Sequence, residues 1–574
     1  MATAQFEVSK PLLRGVTRTL SLVLLLCSGL FGQSPKLSRE LQNLTGSAFV
    51  DVIVRFSGNL DHDAHDRIAK KGGKLKKELK GIRAGVYSLP AFAVAALRFD
   101  SRVVFATPDR KLKATMEFAN AAAGASLARQ YGFEGAGVGV AVIDSGVYPH
   151  ADLRENNSRI VYSQNFAENV TTATDIYGHG THVAGIIAGS GLMSSASDAI
   201  HTFRGIAPKA SIVNLKALDA QGQGTDSAVI AAIDRAIELK SAYNIRVINL
   251  SLGRPVMESF TVDPLCLAVE RAWKAGIVVV VAAGNGGRDN SMGADGYATI
   301  TAPANSPYVI TVGAMKDMAS AVRGDDLMAT YSSKGPSMLD HTVKPDLVAP
   351  GNSIISTMPF YAGLRQMLPG NAVPVAYYRS GGSTGASSYY FRLSGTSMAA
   401  PMVAGAAALM LGKEPSLTPD TVKARLMKTS TKTFPSVSTW LDPATGAAYT
   451  THYDLFTVGA GYLDIWAALN SSDVVPDGVY ALSPQALRDP VTGQVTVNAS
   501  NVVWGSNVVW GSNVVWGSNV VWGSSVFVGG TNVVWGSNLV WGSTTLAGSN
   551  LVWGSNVVWG STRVFADQIG IGRE

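Results

Sequence analysis

Four polar residues lie in runs of very small neighbours and are of the types that acyl transfer needs. Asp144 is in AVIDSG, His179 in GHGTHVAG, Asn285 in VVAAGNGG and Ser397 in SGTSMAAP. A serine hydroxyl is a poor nucleophile at neutral pH. It needs an adjacent base, usually imidazole, and the base needs a carboxylate to orient it. The oxyanion that forms on the attacked carbonyl needs a donor. An amide such as Asn285 and the backbone N–H of Ser397 are candidates. Flanking Gly, Ala, Ser and Thr let backbone and substrate approach closely. Each residue alone has an ordinary role: a serine before a helix is a cap, and an aspartate after a strand is a turn residue. His179 and His182 are three apart, a spacing seen at metal sites on helices, but no carboxylate or cysteine joins them in a zinc pattern. Taken together, the four motifs are far more specific than any one of them.

The elements around them must bring these residues together. GVGVAVIDSG, SIVNLKAL, RVINLSLG, GIVVVVAAGN and YVITVGA are continuous apolar runs of strand length. Helical stretches such as AVIAAIDRAIELKSA and PLCLAVERAWKAG separate them. That alternation predicts an α/β domain, a parallel sheet covered on both faces. In such sheets working groups gather beyond the carboxyl ends of the strands, where Asp144, Leu252 with Gly253, and Asn285 fall. Ser397 precedes the helical run PMVAGAAALML, so a helix N-terminus is expected at the reacting centre.

The chain order Asp, His, Ser and the motifs AVIDSGV, GHGTHVAG, SLG, AAGN and GTSMAAP resemble the subtilase family of serine endopeptidases. The resemblance implies a subtilisin-like peptidase domain over residues 120–470. In it Asp144 would orient, His179 would act as base and then acid, Ser397 would attack and Asn285 would stabilise the oxyanion, with His182 structural. It implies that peptide substrates lie as an extended strand against QGQG, with Gly222 and Gly224, and against Ser251, Leu252 and Gly253. Leu252, Gly253, Ala283 and Gly284 would line the primary pocket, with Thr301 and Ala302 near its floor. No charge sits in these segments, so a large apolar residue is expected before the scissile bond. It also implies that residues 36–115 are a small α+β, ferredoxin-like propeptide acting as an intramolecular inhibitor. The cut that frees it is expected within Arg110 to Gly124. No cofactor is required for this chemistry. Structural calcium at Asp152 is left open, because SSASDAIHTFRGIAP does not carry the usual partner ligands. A long insert between ISTM and GTSMAAP, rich in Tyr, Gly and Ser, either shapes the cleft or sits beside it.

The remainder divides the chain further. With 574 residues, two to four domains are expected. Lys10, Arg14 and Arg18 lead into LSLVLLLCSGLF, an apolar segment too short to span a bilayer comfortably. Residues 1–33 therefore read as a secretory signal, and the protein as secreted or extracellular. Its removal takes Cys27 and leaves Cys266, in the helix-like LCLAVERAW, as a small core residue. Within 36–115, VDVIVRF, GVYSLP and RVVFAT read as strands, HDAHDRIAKK and AFAVAALRFD as helices. The run KKGGKLKKELKGIR reads as a solvated turn region; with no aromatic interleaved, nucleic acid is not an expected partner.

Residues 471–500 read as a linker, 501–561 as a repeat module and 562–574 as a tail. The module holds ten hexads, most of them NVVWGS, with Trp in eight. VVW favours strand and GSN favours turn, a pattern expected to give a β-rich array such as a β-solenoid, or else an aggregation-prone tail. An outward Trp ladder would suit a surface, a carbohydrate or a second copy of the chain as partner. Two other functions stand against a peptidase. One is an adhesion protein on an inactive scaffold, which would have no need to keep all four polar residues. The other is an esterase, whose GxSxG elbow is absent around Ser397.

Overall fold

The computed structural model describes residues 36–498, apart from 38, 43, 80–82, 109–115, 155–157, 169, 292, 443–444 and 489–494, together with 520–521, 534–535 and 564–566. The expected signal (1–33), part of the expected processing segment and most of the hexads lie outside the described residues. The chain forms two compact units that divide between Lys113 and Ala114.

The first unit grows from an alternating strand. In β1 (Phe49–Phe56), Val52, Val54 and Phe56 are buried while Arg55 is exposed. Helix α1 (His62–Ala69) begins at Asp61, whose carboxylate accepts from the Ala64 N–H at 2.9 Å, and it buries Ala64 and Ile68. Then come β2 (Lys74–Leu79), β3 (Ala84–Pro90), a short helical crossover from Ala91 to Phe99, and β4 (Val103–Pro108). The sheet order is β2-β3-β1-β4, antiparallel throughout. This βαββαβ path is ferredoxin-like. The lysine-rich run corrects its turn reading: Lys74–Leu79 is an edge strand, nearly all of it exposed. Having no buried face it shows no alternation, and edge lysines deter pairing with other chains.

The second unit is built on an eight-stranded sheet. Its strands are β5 (Gly139–Asp144), β6 (Ile160–Asn165), β7 (Ser211–Lys216), β9 (Ile245–Leu250), β11 (Val278–Ala282), β12 (Ile310–Lys316), β13 (Leu327–Met328) and β14 (Leu347–Pro350). The order is β13-β12-β11-β9-β5-β7-β6, with β14 also on β12, and every pairing but β12–β13 is parallel. The chain lays strands to one side of β5 and then crosses to the other. The carboxyl ends of β5, β9 and β11 thus stand side by side at a topological switch point. Two helices packed together near these ends are almost wholly buried: α2 (His179–Ala188) and α5 (Thr396–Lys413). α3 (Asp226–Glu238) and α4 (Pro264–Lys274) bury one stripe each. Cys266, in α4, is buried as expected, and its thiol donates to Asn305 Oδ1 at 3.2 Å.

Two short strands, β8 (Gln223–Gly224) and β10 (Leu252–Gly253), lie outside this sheet. RVINLSLG is therefore one strand and a separate edge, with Ser251 between them. A three-residue strand, Val564–Ala566, runs between β8 and β10 and is antiparallel to both. The long insert is ordered. β15 (Ile354–Thr357), β16 (Ala372–Pro374) and β17 (Ala386–Leu393) form an antiparallel sheet with β17 central, and Tyr390 and Phe391 are buried in it. In the hexad array, Val520–Val521 pairs antiparallel with Val534–Trp535, whereas stacked coils of a solenoid pair in parallel.

Candidate active site

Asp144 ends β5 and is wholly buried. Its carboxylate meets His179 Nδ1 at 2.8 and 3.0 Å and accepts from the Ser145 N–H at 2.7 Å. His179 is the first residue of α2. The residue before it, Gly178, has a φ of 108°, where a side chain would be strained and would also strike Met358. A glycine has no side chain to cap the helix, and Asp175 does so instead. It accepts from the N–H groups of Gly178 (2.7 Å) and Thr181 (2.8 Å) and from the Thr181 hydroxyl (2.6 Å). The Ser145 hydroxyl donates to Asp175 and accepts from the Gly180 N–H, both at 2.9 Å. Burial raises the Asp175 pKa, and those donors oppose the rise. The helix start is thus stitched to the strand end that carries Asp144. Asp175 and Ser145 were not singled out from sequence, although an acid before a glycine-led helix start is a capping signal.

His182 faces the other way. Its Nε2 lies 3.1 Å from the Phe391 carbonyl oxygen, and burial pushes its pKa down to about 3. It stays neutral at working pH and pins the insert to α2, a structural part.

Ser397 is the second residue of α5, with its side chain almost wholly buried. Its hydroxyl donates to the Ser251 carbonyl at 3.3 Å, and the Ser251 hydroxyl donates to the Ser397 carbonyl at 2.9 Å. The edge segment after β9 is therefore clamped to the helix that carries Ser397. Asn285 follows β11 by three residues. Its Oδ1 accepts from the Thr396 N–H at 3.0 Å and hydroxyl at 3.2 Å, which fixes the carboxamide and directs Nδ2 away from those donors. The Thr396 hydroxyl also accepts from the Gly284 N–H at 3.1 Å. Gly284 has a φ of 109°, and a Cβ there would lie 2.7 Å from Ser333 Oγ. Thr396 is a third residue that sequence reading passed over.

The structure gathers the expected groove residues as follows. Gly222 and Gly224 stand on one side, and Ser251, Leu252 and Gly253 on the other. Thr301 lies against Gly253 and Gly284, since a Cβ on either glycine would meet its side chain, and its N–H bonds the Ala283 carbonyl at 3.1 Å. Arg254, which follows Gly253 in the chain, is buried and paired with Asp226 and Asp263 at 2.8 and 2.9 Å. Asp152 is also buried. One of its oxygens accepts from the Met193 N–H at 2.9 Å and the other from the Tyr390 hydroxyl at 2.7 Å. Among the described residues no three His, Cys, Asp or Glu side chains cluster as a metal site. Each Asp152 oxygen thus accepts a hydrogen bond from a protein donor, which ties the residue to Met193 and to the insert strand that carries Tyr390.

A model of the subtilase family, peptidase S8, matches residues 135–461. The chain belongs to the subtilase family. It is similar to serine protease AprX of Bacillus subtilis, with 40% identity over 56% of this chain and 68% of that protein. It is similar to subtilisin E of the same species, with 34% identity over 64% of this chain and 80% of the relative. Subtilisin DY of Bacillus licheniformis is 36% identical over 52% of this chain and 86% of its own length. The matches make this subtilase a serine endopeptidase that acts on proteins or peptides. No helix among the described residues is long and apolar enough to cross a membrane.

Proposed function

We propose that this subtilase cleaves peptide bonds through Asp144, His179 and Ser397, with Asn285 as an oxyanion donor. The observation that carries the reading is the His179–Asp144 pair at 2.8 Å, with Ser397 at the start of a helix that packs against the one His179 opens. With Nδ1 held by the carboxylate, base chemistry falls to Nε2. It takes the Ser397 proton as Oγ attacks the carbonyl carbon, and returns it to the leaving amine. Water then attacks the acyl-enzyme by the same route. The developing oxyanion is met by Asn285 Nδ2 and the Ser397 N–H, near the positive end of α5. Nucleophile, base and oxyanion donors are all groups of the protein itself, so the reaction needs no cofactor.

Substrate enters as a strand between β8 and β10, with Gly222, Gly224, Ser251, Leu252 and Gly253 giving backbone bonds. The pocket by Ala283, Gly284 and Thr301 takes a large apolar residue. The first unit is the inhibitory propeptide, removed by self-cleavage within Arg110–Gly124. The N-terminal signal directs the product out of the cell, and the Trp hexads attach it to a surface, a carbohydrate or another copy. A serine-directed fluorophosphonate followed by peptide mapping tests the centre: label on Ser397 is expected, and its absence from the processed protein refutes the assignment. The Ser397→Ala precursor should remain uncut; normal processing of that variant refutes self-cleavage.

A further inference from the structure

The groove between β8 and β10 has an occupant in this structure, and it is the chain itself. Val564 stands opposite Gly224, Phe565 opposite both Gln223 and Gly253, and Ala566 opposite Leu252. The strand is antiparallel to both edges and completes a three-stranded sheet with them. β8 and β10 are two residues each and do not pair with one another, so a central strand is what makes them a sheet. These are the edges assigned above to the substrate, and the present inference rests on that assignment.

Direction sharpens the point. Passing from Phe565 to Ala566 moves the opposite partner from Gly253 to Leu252. The next position along that edge is Ser251, whose carbonyl accepts from the Ser397 hydroxyl. The segment therefore runs, N to C, towards the nucleophile, as the acyl side of a substrate must. The sequence is compatible: VFA has no proline to remove a ladder N–H, and it follows the last hexad closely, at TRVFADQ.

We infer that the segment 564–566 binds the substrate groove in cis as a competitive intramolecular ligand, so that the C-terminal end of the chain restrains the protease independently of the N-terminal unit. The hexad array then acts as the tether, and its length sets the local concentration of the segment at the groove. The apparent KM for an external peptide rises by the factor 1 + C/K, where C is that concentration and K the segment's own dissociation constant.

The test compares the purified, self-processed protein that retains residues 564–566 with its Val564→Pro, Phe565→Pro variant, which lacks two backbone donors in the segment and leaves the catalytic residues untouched. Active sites are titrated with a fluorophosphonate, and KM and kcat are measured with a fluorogenic tetrapeptide. The expected result is a KM about threefold or more lower in the variant at unchanged kcat. The synthetic peptide TRVFADQ should inhibit the variant competitively. Equal KM values at equal titrated sites overturn the inference and leave the active-site assignment standing. Failure of the reagent to label Ser397 in either protein overturns the assignment, and the inference with it.

Discussion

Replacing Thr396 by valine tests whether the carboxamide of Asn285 is held in place by the hydroxyl beside it. The Thr396 hydroxyl donates to Asn285 Oδ1 at 3.2 Å and accepts from the Gly284 N–H at 3.1 Å, in a fully buried position. Valine keeps the shape and removes both bonds. The Gly284 N–H then loses a buried acceptor, which costs about 1–3 kcal/mol of stability. Asn285 keeps the Thr396 N–H at 3.0 Å and loses the hydroxyl, so its Nδ2 is aimed less strictly. One neutral hydrogen bond is worth about 0.5–1.5 kcal/mol. If all of it serves the transition state, kcat falls about 2- to 12-fold, because about 1.4 kcal/mol is a factor of ten. Loss of the whole amide, as in Asn285→Ala, should cost about 3 kcal/mol or roughly 100-fold; that figure comes from a subtilisin oxyanion donor, not from this chain. The assay is kcat and KM on a peptide anilide with titrated active sites. kcat should fall at nearly constant KM, and Thr396→Ser, which restores the hydroxyl, should recover the rate. A serine variant as slow as the valine one, or a valine variant with lowered stability and undiminished kcat, refutes the reasoning.

Three further outcomes are expected. Gly180→Ala places a methyl 2.2 Å from the Gly146 carbonyl oxygen and 3.1 Å from Asp144 Cβ, so the start of α2 must withdraw; kinetics should show a loss in kcat larger than any change in KM, and melting a loss of about 1–3 kcal/mol. Tyr390→Phe removes a donor from Asp152 and should lower the unfolding free energy by about 1–3 kcal/mol, read from denaturant titration; an unchanged midpoint would reject the bond as a stabilising one. Asp317 and Asp326 are each about 97% buried, and burial, with neighbouring carboxylates adding, pushes each pKa up to about 7. At low pH both states hold these protons. As pH rises from about 4 towards 7 the unfolded chain releases them and the folded one does not, so stability declines over that window and is flat above it. Asp326→Asn on a Ser397→Ala background, which prevents self-digestion, should therefore stabilise by a margin growing from near zero at pH 4 to about 2–4 kcal/mol at pH 8; a margin independent of pH rejects the titration.

What was legible in the sequence follows from how each residue works. The reacting groups sit among glycines and alanines because backbone and substrate must come close, and that composition is visible in a single line of residues. Asp175 and Thr396 escape because they act on neighbours. An aspartate in TATDIYG and a threonine in GTS look like an ordinary turn residue and an ordinary cap, and nothing local marks the partners they hold. β6, IVYSQN, was missed because an edge strand buries one face and its residues are only partly covered. β2 was read as a turn because none of its residues is fully buried, and β10 as part of β9 because two residues carry no periodicity. In each case pairing across the fold decides the conformation and local pattern does not.

The placement of the site shows where such pairing carries most weight. Asp144 and Asn285 leave the carboxyl ends of β5 and β11, while His179 and Ser397 open α2 and α5. A strand end frees a carboxylate or amide from the ladder, and a helix start offers unpaired N–H groups, so polar side chains at these termini cost the fold little. The neighbour relations β5–β9–β11 bring those termini together, although long stretches of chain separate them. The same economy governs the groove. β8 and β10 remain unpaired to one another because each must offer its backbone to a third strand, and Val564–Ala566 meets that need without a special sequence. Any extended tripeptide free of proline can fill the ladder, so the identity of the occupant was open until the fold placed one there. Occupancy must then be decided by concentration, and linkage within one chain makes the encounter of Val564–Ala566 with the groove intramolecular.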